Sequence, residues 1–434
     1  MTPQKTRLPN GLCIVSEQMS NAQSFALGVW IDVGSRDEKP HEHGMVHFIE
    51  HLVFRGTEKR TARKIANELE SVGGYMNAFT SKDHTCYYTR ALMQHFDLSL
   101  DMLADICQHP LFREADITKE RAVITEEIAS LQDEPEELVT DNLDELLFDA
   151  HPYAHSISGT AKGLQKIQRA DIEHFHKQHY TPERIIVSAS GNIDHDKLCK
   201  QLETLFPAHS SPKKLLPKVK KTAKRTASIA HDNSHFTPRS FLAPPRRRAE
   251  EREIRIATQQ THLCMGVVVP KPSDADYYSL SALNIVLGDG MSSRLNQVVR
   301  EKHGLCYNIY SGMSEIGESL IMSVYAGFEP SKRKKAEQLI RKELEGITEK
   351  AITPSELRRA KEQLKSSLII GVESLSGRMN LLAKSELYMG TFESLEVRLA
   401  KIEAISSNDI LQKAQEYLRV EDWHTARVVP KKRK

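Results

Sequence analysis

The chain has 434 residues, enough for two or three domains of ordinary size and too many for one small binding module. Apolar residues make up 39 % and charged residues 27 %, which excludes collagen-like and wholly disordered classes. Sixty basic against 58 acidic side chains leave a formal charge of +2, so the molecule as a whole is no electrostatic binder of polyanions.

Two β-rich runs, Leu12–Ser16 and Phe25–Val33, flank the turn-prone Ser20-Asn21. A helical pattern covers Gly44 to Phe54, and a second covers Thr61 to Val72 and stops at Gly73-Gly74. Tyr75–Thr80 and Thr85–Leu92 read as paired strands. Gln94–Gln108, Arg113–Leu131 and Glu136–Phe148 read as helices, and Arg184–Ser190 with His195–Leu205 as a closing strand and helix. Periodicity then dissolves into Pro, Ser, Lys and Arg. Residues 207–248 hold six Lys and five Arg against one Asp, so this basic linker leaves the rest of the chain net negative. Beyond it the order restarts with a strand (His262–Val269), helices (Asp276–Leu287, Ser292–Lys302), strands (Leu305–Ser311, Ser319–Gly327) and long helices (Lys332–Thr348, Thr353–Ile370). Thr61–Thr80 resembles Ser292–Ser311, and Ile117-Thr118-Lys119-Glu120 resembles Ile352-Thr353-Pro354-Ser355-Glu356, so the chain reads as two copies of one unit.

Six dispersed cysteines form no C-x-x-C pair, which argues against a disulfide scaffold or a thiolate zinc knuckle and favours a reducing compartment. With no apolar export signal at the start and no run of about 18 apolar residues, a cytoplasmic protein without a membrane span is expected.

His47-Phe48-Ile49-Glu50-His51 lies inside the first strong helical pattern. At 100° per residue His47, Glu50 and His51 share a face, which brings two imidazoles and a carboxylate together. Two neutral imidazoles one turn apart suit Zn²⁺, and Glu50 is placed to serve as base in an inverted form of the zinc-protease signature. A solvated face of histidines has the same spacing, and among 19 histidines the pattern arises by chance with a probability of about 0.05 to 0.1. A third protein ligand is needed from a separate rigid element. Glu120 and Glu127, two turns apart on one stripe of the helix Arg113–Leu131, offer carboxylates there, while Val123, Ile124 and Ile128 supply its apolar side.

His47-x-x-Glu50-His51 with Glu120 and Glu127 resembles the pitrilysin/insulinase metallopeptidases, specifically the subgroup of mitochondrial processing peptidase β-subunits and their bacterial relatives. The resemblance extends through Phe54-Arg55-Gly56-Thr57, Gly73–Thr80, Gly290-Met291-Ser292-Ser293-Arg294-Leu295 and Arg300-Glu301-x-x-Gly304-Leu305-x-Tyr307. It implies an α+β fold of two homologous domains, residues 1–206 and 251–434. Each is a mostly antiparallel sheet covered by helices, and residues 207–250 join them. It also implies one Zn²⁺ per chain on His47, His51 and Glu127, with Glu50 as general base and Glu120 supporting the site without binding metal. Arg300 and Tyr307 match a pair that reaches the substrate carbonyl from the second domain. Asn77-Ala78-Phe79-Thr80 matches an edge strand on which extended substrate is laid, so peptides and unfolded segments are the expected partners. Glu137 and Asp141 resemble acidic positions that receive basic substrate side chains. Ile106 and Pro110, however, stand where a further acidic pair is looked for, which counts against strict presequence processing.

In the second half Gln363 falls opposite Glu127, so one domain is expected to carry zinc and the other to shape a chamber. Larger family members have four such units, so the resemblance implies a homodimer, or a heterodimer with an inactive relative. A non-catalytic assembly subunit is the alternative. The basic linker and the tail Pro430–Lys434 read as solvated flexible charge, so no nucleic-acid partner is expected.

Overall fold

The computed structural model describes residues 3–207, 248–270 and 272–431. Most of the basic linker and the last three residues of the basic tail lie outside the described residues.

Among the described residues the first sheet has six strands: β1 (Gln4–Arg7), β2 (Cys13–Gln18), β3 (Ser24–Ile31), β4 (Tyr75–Thr80), β5 (Thr85–Leu92) and β6 (Ile185–Gly191), in the order β1-β2-β6-β3-β5-β4. The second has five: β7 (Glu251–Ile256), β8 (Thr261–Pro270), β9 (Cys306–Ile316), β10 (Ser319–Phe328) and β11 (His424–Pro430), in the order β7-β11-β8-β10-β9. Each contains one parallel pair, β2 with β6 and β7 with β11, and is otherwise antiparallel. The two-domain α+β class expected from the sequence is the fold observed.

Helices α1 (Met45–Val53), α2 (Ala62–Glu70), α3 (Phe96–Gln108), α4 (Glu114–Asp133), α5 (Pro135–Phe148), α6 (Ala161–Leu164), α7 (Arg169–His179) and α8 (His195–Leu205) belong to the first half. The second half has α9 (Asp274–Leu287), α10 (Arg333–Glu349), α11 (Pro354–Glu373), α12 (Leu375–Lys384), α13 (Leu395–Ala404) and α14 (Ser407–Tyr417). Helices α4 and α11, equivalent in the repeat, are both 20 residues long. The helix expected over Ser292–Lys302 begins late, because Gly290 (φ 99°) opens a loop, and Asn296–Lys302 is wound as a π-helix.

The central strands β3 and β6 are buried on both faces, which explains why they read as continuous apolar runs. In β3, Phe25, Leu27, Val29 and Ile31 face a core built with α1, α3 and α7, while Ala26 and Trp30 point to the other side. That other side is covered from the second half, by Met379, Leu382 and Ala383 of α12. Reciprocally, Val139, Leu143, Leu146 and Leu147 of α5 pack on Cys264, Ile321, Tyr325, Ala426 and Val428 of the second sheet. Each half therefore closes the other's sheet, an exchange that boundaries drawn along the chain do not express.

The hairpin turn between β4 and β5 joins the two halves through polar contacts. Asp83 accepts hydrogen bonds from Tyr153 (2.7 Å), from the Gly317 N–H in the β9–β10 turn (2.8 Å) and from Tyr388 (3.4 Å). Among the described residues no helix is long and apolar enough to cross a membrane.

Candidate metal centre

Helix α1 forms because Met45, Val46, Phe48, Ile49, Leu52 and Val53 bury an apolar surface covering most of its circumference. His47, Glu50 and His51 fall on the remaining stripe and are half-buried, turned toward α4. Opposite them α4 presents Glu120, whose side chain is 2 % exposed, and Glu127, whose side chain is 43 % exposed.

The distances among these groups fit a tetrahedral ion. Coordination at about 2.0 to 2.1 Å separates neighbouring donor atoms by about 3.3 to 3.5 Å. Glu127 Oε2 lies 3.4 Å from His47 Nε2 and 3.7 Å from His51 Nε2. One donor atom from each of the three residues falls within 4.8 Å of the others. Among the described residues no other cluster of three or more histidine, cysteine or acidic side chains is so arranged. The donor set, two imidazoles and one carboxylate, is that of catalytic zinc sites and leaves a fourth position open.

The nitrogens facing away from this point are also engaged. His51 Nδ1 lies 3.1 Å from Glu120 Oε2, which orients the ring as a ligand. Arg55 pairs with the other oxygen of Glu120, so this buried carboxylate has a cation on one side and an imidazole on the other. His47 Nδ1 lies 3.6 Å from Glu50 Oε2, and Thr80 donates to that same oxygen at 2.5 Å. Burial alone lowers the pKa of His47, but Glu50 and Glu127 beside it outweigh burial and raise it. For Glu50, burial pushes upward and the contacts with His47 and Thr80 pull further down, so it is ionised at neutral pH. An ionised carboxylate beside an open coordination position can accept a proton.

Among the described residues strand β4 is the outer strand of its sheet and pairs with β5 alone. Its side chains alternate, with Met76 and Ala78 packed on the core and Tyr75, Asn77 and Phe79 exposed. The strand ends at Thr80, whose hydroxyl reaches Glu50. Arg300 and Tyr307 sit together in the second half, the guanidinium 5.6 Å from the ring centroid. Tyr307 is 83 % exposed on β9, and among the described residues neither forms a hydrogen bond or ion pair with His47, Glu50, His51 or Glu127. Glu137 is exposed on α5. Asp141, raised in pKa by burial, lines a cavity of about 630 Å³ with Glu145, His43 and His155. Sequence reasoning missed Arg55, whose signal was its position four residues beyond His51. It also missed Glu136, which accepts a hydrogen bond from Tyr310 at 2.7 Å and ties α5 to the second sheet.

The description Insulinase (Peptidase family M16) matches residues 13–161, and Peptidase M16 inactive domain matches residues 166–364. An uncharacterized zinc protease of Streptomyces coelicolor is 35 % identical over 417 residues, covering 96 % of this chain and 87 % of its own. One from Bacillus subtilis is 34 % identical over 97 % of both chains. The crystal structure of a protease from Helicobacter pylori superposes with a TM-score of 0.86 over 99 % of each chain at 24 % identity, a likeness of fold. A helix carrying H-x-x-E-H, a carboxylate-bearing helix facing it and full-length similarity place this chain in the insulinase family of peptidases, family M16.

Proposed function

We propose that the protein is a zinc-dependent endopeptidase that hydrolyses peptides or unfolded polypeptide segments bound in extended form, on the processing-peptidase pattern. The observation that carries this reading is the separation of the Glu127 carboxylate from the two imidazole Nε2 atoms, 3.4 and 3.7 Å, which suits one zinc ion. Relatives named zinc proteases support it.

His47, His51 and Glu127 would hold the ion. Bound zinc supplies Lewis acidity, polarising a carbonyl and making water acidic enough to ionise near neutral pH. Glu50 accepts the proton from the attacking water as the new C–O bond forms. It returns that proton to the amide nitrogen as the C–N bond breaks. Thr80 holds Glu50 in place, and the β4 edge from Asn77 to Thr80 aligns substrate backbone beside it. Arg300 and Tyr307, a cation and a phenol, are suited to a developing oxyanion once the second half approaches. Glu137 and Asp141 give one wall an acidic character that favours basic substrate side chains. The complete working chamber is a homodimer in this reading.

Purified protein should contain one zinc per chain and cut an unstructured peptide at sites mapped by mass spectrometry, and chelation should stop the cutting. Glu50→Gln should keep zinc and lose cleavage. A metal-free, inactive wild-type chain would instead mark a non-catalytic subunit, and light scattering decides between monomer and dimer.

A further inference from the structure

Helix α1 begins without any of the usual devices for satisfying its first N–H groups. Its N-cap is Gly44 (φ 93°), which has no side chain to offer, and no acidic residue stands in its first turn. A Cβ at Gly44 would sit 2.8 Å from the Ser158 carbonyl oxygen, so the neighbouring loop leaves no room for a capping side chain there. The acceptors come from outside the helix. Glu38, whose side chain is 0 % exposed, takes the Gly44 N–H on Oε2 at 2.9 Å and the Val46 N–H on Oε1 at 2.8 Å. His155 Nε2 approaches Glu38 Oε2 at 3.1 Å, and the His155 ring stacks on His43 with centroids 3.7 Å apart and planes 4° from parallel.

A buried carboxyl group is expensive to bury unless it is fully bonded, and this one has a partner on each oxygen and a third from the side. Those partners lie at the start of the helix that carries the metal-site residues. His47 is the third residue of α1, inside the turn that Glu38 ties down, whereas His51 lies a turn further on and is oriented separately by Glu120. Ligand geometry tolerates displacements of only about 0.5 Å.

We propose that Glu38, backed by His155, is a positioning residue of the metal centre: it replaces the missing cap of α1 and fixes the turn from which His47 projects. This rests on the zinc reading above and adds to it a residue outside the ligand set, nine positions before the first histidine.

The test measures zinc dissociation constants by competition with a chromophoric chelator, and melting temperatures of zinc-free protein, for wild type, Glu38→Gln, His155→Phe and Asp194→Ala. Asp194 caps the remote helix α8 by accepting from the Lys197 N–H, so its loss shows what an ordinary missing cap does. Glu38→Gln should weaken zinc binding about tenfold or more. His155→Phe, which keeps a ring against His43 but removes the nitrogen facing Glu38, should weaken it about threefold, in the same direction. Asp194→Ala should lower the melting temperature by a few degrees and leave zinc affinity within twofold of wild type. Equal zinc affinity in wild type and Glu38→Gln, or equal losses in Glu38→Gln and Asp194→Ala, overturns the assignment. If Glu38→Gln does not fold, His155→Phe decides by the same comparison. A wild-type chain that takes up no zinc defeats the functional reading and this inference together, and that outcome is visible before any variant is compared.

Discussion

Thr80 donates a 2.5 Å hydrogen bond to Oε2 of Glu50, joining the last residue of the outer strand β4 to the proposed base on α1. The strand proposed to align substrate thus also holds the group that moves the proton. Thr80→Val keeps the β-branched shape and removes the donor. Glu50 should then adopt several orientations, and kcat should fall roughly tenfold with zinc content unchanged. Thr80→Ser should restore most of the rate. Steady-state kinetics with metal analysis checks this, and a valine variant with wild-type kcat would show the bond to be incidental.

The two acidic residues of α4 should separate cleanly on substitution. Glu127 places an oxygen among the donor atoms, whereas the carboxylate of Glu120 pairs with His51 Nδ1 and Arg55. Glu120→Gln should weaken zinc binding 10- to 100-fold, the usual range for a partner of a liganding histidine. Glu127→Ala should weaken it further. The reverse order in a chelator-competition titration would exchange the two roles.

How much of this was legible in the sequence follows from the range of the forces involved. The spacing of His47, Glu50 and His51 fixes their common face within one helix, and Glu120 and Glu127 share a stripe for the same reason, so the local halves of the centre are readable from periodicity. The meeting of the two helices is a tertiary fact, and resemblance rather than periodicity joined them beforehand. Glu38 was invisible because its bonds are to backbone N–H groups six and eight residues away, which leave no side-chain pattern. The exchange of α5 and α12 was hidden for a related reason. An apolar stripe such as Val139-Leu143-Leu146-Leu147 announces that a face is buried, not which sheet it meets. No element was assigned to residues 371–434, where α12 to α14 and β11 form; these helices are only 10 or 11 residues long, and β11 depends on neighbours far away in the chain.

That exchange should make the halves unfold as one. Leu143 of α5 is 2 % exposed, and its Cδ2 lies 2.8 Å from where a Cβ on Gly266 would stand, so the helix packs closely on β8 over a glycine. Leu143→Ala should cost about 2 to 5 kcal/mol. The chain has two tryptophans, Trp30 in the first sheet and Trp423 beside the second, so single-tryptophan variants report each half separately. With Leu143→Ala added, the denaturation midpoint should shift equally for both reporters. A shift confined to Trp423 would mean that the sheets unfold independently.

The second half has a partly buried ion pair of its own, and it should reveal itself in acid. Glu356, in the first turn of α11, is held in two contacts by Arg294, Nε to Oε1 at 2.7 Å and Nη2 to Oε2 at 2.9 Å. Arg294 foremost, and then the Thr353 N–H, outweigh burial and hold the Glu356 carboxyl down at about 2. Because the native pKa lies below the ordinary carboxylate value of about 4.3, the pair contributes fully above that range and loses its contribution as pH falls toward 2. Both side chains are about four-fifths buried, at 21 % and 18 % exposure, so solvent screening only partly discounts the effect, which comes to roughly 1 to 3 kcal/mol. Glu356→Gln, which cannot ionise, should therefore be less stable than wild type by a constant margin from pH 7 to about 5, and the margin should narrow steadily below pH 4. Urea denaturation of both proteins across that range measures it. A margin unchanged down to pH 2.5 would show that Arg294 stabilises the folded chain by packing and not by charge.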